Sequence, residues 1–75
     1  MVEIQPRNGR YFKLRELQKI VDGHIEILTL NGNEIMVVNE EGKIHDLPLN
    51  LQATELFGLD VIVGDVLVCN YNEVK

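Results

Sequence analysis

Apolar and polar positions along the chain change period several times, and each change marks an element. From Lys13 to Val21 the apolar residues Leu14, Leu17, Ile20 and Val21 recur at helical spacing, while Lys13, Arg15, Glu16, Gln18 and Lys19 form a polar face. This predicts an amphipathic helix, closed by Asp22-Gly23 with Gly23 as the left-handed cap residue. Ahead of it, Val2-Glu3-Ile4 alternates and stops at Pro6, the pattern of a short first strand, and Arg7-Asn8-Gly9-Arg10 is a turn. Behind it, His24–Leu30 and Glu34–Asn39 flank Asn31-Gly32-Asn33, a hairpin signal. Both strands become apolar on two faces over part of their length, which places part of the hairpin between a helix layer and a second apolar surface.

The second half reads less regularly. Glu40-Glu41-Gly42 fits a type I turn followed by a left-handed glycine, leading into a short strand over Lys43–Leu47 that Pro48 ends. Asn50 is placed to cap a helix over Leu51–Phe57, and Gly58 closes it. Val61-Ile62-Val63 and Val66–Cys69, on either side of Gly64-Asp65, form the most apolar stretch and predict a central strand or a bent pair. The expectation is a single α+β domain over residues 1–75, mostly an antiparallel sheet of about five strands with two short helices, in the order β-α-β-β-β-α-β-β.

Length adds a constraint on stability. A chain of 75 residues buries only about 60–65% of the surface its unfolded form exposes, so small domains draw support from disulfides, a metal or a second subunit. One cysteine, Cys69, excludes an internal disulfide, and two histidines far from it offer no metal-ligand spacing. A homo-oligomer is the expected supplement. No apolar run approaches the roughly 18 residues of a membrane span, and the first residues do not read as a signal peptide, so a cytoplasmic setting without a membrane partner is expected. A net charge of −5 argues against nucleic acid, which binds basic faces.

Several segments resemble, in order, the blocks of a family of short proteins from phages, plasmids and Gram-positive or gut bacteria, known only as a domain of unknown function. Leu17-Gln18-Lys19-Ile20-Val21-Asp22-Gly23-His24-Ile25-Glu26 is similar to its opening L-Q-x-x-V-G-G-x-I-E, with Asp22 in place of the first glycine. Asn39–Lys43, Leu47-Pro48-x-Asn50-x-x-Ala53 and Asp60–Val68 follow. The resemblance spans Leu17–Val68 and leaves Arg7–Phe12 outside. It implies a mobile-element setting and supplies no activity.

Candidate chemistry is sparse. Arg7, Arg10 and Tyr11, with Phe12, form the one basic–aromatic cluster, able to fork phosphate oxygens and stack a base. Asn39 precedes a turn and either holds it or presents an amide to a ligand; Glu40 and Glu41 read as a solvated turn. Asn50 is a helix cap beside free N–H groups that attract anions. His24 opens a strand, where it could donate to a ligand, and His45-Asp46 could position a base. Serine is absent, and Cys69 sits in an apolar strand without a basic neighbour, as an inert core thiol does. No cofactor is implied. The expected function is a small binding protein of a phage or mobile element. It would counter host defence by sequestering a nucleotide-derived signal in a pocket of a homo-oligomer, through Arg7, Arg10, Tyr11, His24, Asn39 and Asn50. The alternatives are an inhibitor that binds a host protein surface and a small phosphohydrolase-type enzyme.

Overall fold

The computed structural model describes residues 9–74. Within them a helix α1 (Leu14–Val21) leads into a hairpin of β1 (Ile25–Asn31) and β2 (Glu34–Asn39). A second helix α2 (Leu51–Phe57) and a strand β3 (Leu67–Asn70) follow, and a 3-10 turn covers Tyr71–Glu73. The strands form one antiparallel sheet in the order β1-β2-β3. The α+β class and both helices agree with the hydrophobic pattern.

The local signals explain these elements. The Glu16 carboxylate accepts from the Lys13 N–H at 3.0 Å, which ties down the start of α1. At its end the left-handed residue is Asp22 (φ 61°, ψ 47°) and not Gly23, and the Gly23 N–H closes the turn on the Gln18 carbonyl. Gly23 serves closeness instead: a Cβ there would lie 2.7 Å from the Asn39 Nδ2. Asn50 caps α2 as expected, its side chain accepting from the Ala53 N–H at 3.0 Å, and Gly58 ends it at φ 78°.

Three strand expectations need correction. Five strands are not present among the described residues, and Val2–Ile4 lies outside them. Lys43–Leu47 is no strand. The chain from Glu40 curls through helical turns that close at Asp46 (φ 55°), where the Leu47 N–H meets the Gly42 carbonyl and the Asp46 N–H meets that of Lys43. Asn39 starts this curl by accepting from the Glu41 N–H at 2.8 Å, so a local side-chain bond outcompetes a ladder. Gly42 is not left-handed; it allows Val63 to approach, whose Cγ2 would lie 2.9 Å from an added Cβ. Val61-Ile62-Val63 contributes only a bridge, Val63 to Leu49, and the central strand is β2 rather than the Val66–Cys69 segment.

β2 is central because it pairs along both edges, and both its faces are covered as well. Ile35 and Val37 face α1 and join Phe12, Leu17, Val21, Leu67 and Cys69 in one core. Met36 and Val38 face the other way, packing with Ala53, Ile62 and Val66. Each fully buried aliphatic or aromatic side chain contributes about 1.5–3 kcal/mol relative to exposure, so these two clusters dominate the stability.

Candidate functional site

The turn after β2 is held rigidly, and it forms one wall of a groove. Asn39, buried at the end of β2, donates to the Val21 carbonyl at 3.0 Å and the Asp22 carbonyl at 3.2 Å while accepting from Glu41. One amide thereby joins the end of α1 to the end of β2 and to the turn. The opposite wall, Leu59–Val63, is fixed to α2 by Thr54. Its hydroxyl accepts from the Ile62 N–H at 2.9 Å and donates to the Ile62 carbonyl at 3.2 Å. Asn50 adds a second tie by donating to the Gly64 carbonyl at 2.8 Å.

Between these walls, over the α2 face of β1 and β2, lies an open groove of about 400 Å³. Leu28, Val38, Phe57 and Ile62 give it apolar surface, and Glu26, Glu40, Glu41 and Asp60 give it four carboxylates against one ammonium, Lys43. That ammonium is already engaged: Lys43 Nζ lies 2.9 Å from Asp60 Oδ2. The Lys43 contact and the Val61 N–H hold the Asp60 carboxyl below its ordinary value. Ile44 and Leu59 are 79% and 83% exposed at the same groove, which is unusual for large aliphatic side chains. A second groove of about 460 Å³ runs between Ile20–Asp22 and the 47–52 and 64–65 segments; its charged lining is Asp22 and Asp65, both acidic.

The five candidate residues that are described do not converge. Arg7 lies outside the described residues. Arg10 is exposed and Tyr11 half-buried, and neither lines either groove. His24 is exposed just ahead of β1, where its carbonyl accepts from the Glu40 N–H at 2.8 Å. Asn39 lines the first groove and Asn50 the second, and both side chains hold the backbone in place. His45 Nε2 reaches Glu41 Oε1 at 4.0 Å, on the surface. Burial, with a smaller push from Glu73, raises the Cys69 thiol to about 11, so it stays protonated at neutral pH. Among the described residues no group of three or more His, Cys, Asp or Glu is arranged to hold a metal ion.

Sequence reasoning overlooked Glu26, Lys43, Ile44, Leu59 and Asp60 as a group. A signal was available: the stretch from Ile44 to Val63 carries more large apolar residues than one seven-residue helix can cover. Ile44, Leu49, Leu51, Leu56, Leu59 and Val61 all remain exposed.

Comparisons with curated proteins and with solved structures give no match. A family model does match, over residues 1–74, and so extends past Leu17–Val68 to include the Arg7–Phe12 segment. The chain therefore belongs to the family described as a domain of unknown function (DUF3846).

Proposed function

We propose that the chain is a binding protein whose first groove holds a basic, partly apolar segment of another protein. The observation that carries this reading is the pairing of exposed Ile44 and Leu59 with a rim of Glu26, Glu40 and Glu41 around an apolar floor. Contiguous exposed apolar surface rimmed by polar groups marks interaction sites, and the carboxylates select the charge of the partner. Interference with a host process, the role expected of a binding protein from a mobile element, would follow from covering a basic surface of a host protein.

A nucleotide-derived signal suits this groove poorly. Its phosphates would meet carboxylates, and Lys43 is committed to Asp60. Arg10 and Tyr11, the described part of the basic–aromatic cluster, line neither groove.

Calorimetric titration with a synthetic peptide of alternating lysine and leucine, beside a panel of nucleotides, separates the two. The peptide binds, its affinity falls as salt rises from about 50 to 300 mM, and Glu40→Lys with Glu41→Lys abolishes binding. Nucleotides that raise the melting temperature, together with a peptide that does not bind, would overturn this reading and favour the sequestering one.

A further inference from the structure

We propose that the outer edge of β1 is a self-pairing surface, on which a second copy of the chain lays its own β1 antiparallel, centred on Ile27. Among the described residues β1 has one strand neighbour, β2, so its other edge carries backbone groups without a ladder. The phase of that edge follows from one bond. The Glu40 N–H donates to the His24 carbonyl, and the pairing continues as Glu26 opposite Val38 and Leu28 opposite Met36. In an antiparallel ladder hydrogen-bonded pairs alternate. His24, Glu26 and Leu28 therefore direct N–H and C=O inward to β2, while Ile25, Ile27 and Thr29 direct theirs outward.

Edges that stay single are usually blunted by lysine, proline or a bulge across their middle. β1 reads Ile25-Glu26-Ile27-Leu28-Thr29-Leu30-Asn31, with no lysine or proline and one charge. Its irregularity falls between Thr29 and Asn31, next to the hairpin turn, and leaves Ile25–Thr29 regular. Ile27, on the α1 side of the sheet, is left 43% exposed at this edge.

The composition also selects a register. Centred on Ile27, the three outward-facing residues all pair: Ile25 with Thr29 of the second copy, Ile27 with Ile27, and Thr29 with Ile25. Glu26 then faces Leu28 of the second copy, and the two Ile27 side chains cover each other. Centred on Glu26, the two carboxylates would face each other, and like charges directly opposite are destabilising. Centred on Leu28, the pairing would need Asn31 beyond the irregularity. Glu26 and Leu28 both line the first groove, so the Ile27 register brings the grooves of the two copies side by side. This inference concerns the free protein, and its test uses no partner, so its failure leaves the groove reading standing.

The test is sedimentation equilibrium with residue-resolved amide exchange on the whole chain. The expected mass is twice 8.6 kDa, and association strengthens with salt, because each copy carries a net charge of −5. In the dimer the Ile27 and Thr29 amides exchange slowly, and they become fast on dilution. Ile27→Lys, at a half-exposed position, raises the dimer dissociation constant by about tenfold or more with an unchanged circular dichroism spectrum, while Leu14→Lys on exposed α1 surface has no effect. A monomer at all concentrations would overturn the proposal and leave the edge to a different chain. So would a dimer in which the Ile27 and Thr29 amides exchange freely, a readout that holds even if Ile27→Lys fails to fold.

Discussion

The two faces of the sheet are built from similar residues and finished differently. On one, α1 lays down Leu17 and Val21, and with Phe12 closes the core over Ile35, Val37 and Leu67. On the other, α2 buries only Ala53 completely, and Ile62 and Val66 from irregular chain complete the cover over Met36 and Val38. Six large apolar residues between Ile44 and Val61 remain exposed on the α2 half, against Leu14, Ile27 and Tyr71 elsewhere among the described residues. A face that needs only stability closes over its apolar groups. One that keeps them at the surface beside acidic groups leaves open the surface that the proposed partner would cover.

The sharpest way to break this contrast is to place a carboxylate on each kind of apolar site. Val66→Asp, at a fully buried position, should abolish folding, because an unpaired buried carboxylate costs several kcal/mol or more in a domain stable by about 5–15. Phe12→Ala should cost about 3–5 kcal/mol in urea unfolding. Leu59→Asp should leave the unfolding midpoint unchanged. Equal losses at Val66 and Leu59 would show that the exposed residues belong to the core after all.

Asn39 joins the two halves, and its removal comes next in size. Asn39→Ala leaves the Val21 and Asp22 carbonyls and the Glu41 N–H without their partner and should cost about 2–3 kcal/mol. Asn50→Ala, which removes a cap and one tie, should cost about 1 kcal/mol. Asp22→Gly should change stability in the other direction, by about 0.5–1 kcal/mol, since glycine takes the left-handed position without strain.

The smallest effect concerns Lys43 and Asp60. Because the folded carboxyl is held below its ordinary value of 3.8, the pair contributes above that pH, and the contribution is lost as pH falls through the lowered value. The difference in melting temperature between wild type and Lys43→Ala should be slight at neutral pH and vanish in acid, both groups being exposed.

What could be read from the sequence follows the same division. α1, the hairpin and α2 were legible because an apolar pattern met a local boundary signal at each: Leu14–Val21 before Asp22-Gly23, the Asn31-Gly32-Asn33 turn before Glu34–Asn39, and Asn50 before Leu51. The Lys43–Leu47 curl was not, because alternation around Ile44 imitates a strand while the determining bond comes from Asn39, outside the segment. Val61–Val63 has strand composition, yet the N–H and C=O of its middle residue, Ile62, are used up in bonds to Thr54 and Asn50. The groove was hidden for a related reason. The hairpin brings Glu26 near Glu40, but only the curl and the 59–63 wall, neither legible in the sequence, bring Lys43, Ile44 and Leu59 to them.

Whether the first groove is the binding surface can be decided by chemical-shift mapping of the labelled protein during titration with the lysine–leucine peptide. Shifts should be confined to Glu26, Leu28, Glu40–Ile44 and Leu59–Val61, with the amides of α1 unmoved and Leu59→Ser weakening binding without lowering the melting temperature. Shifts centred on Arg10, Tyr11 and α1, or a peptide bound equally well by Leu59→Ser, would contradict it.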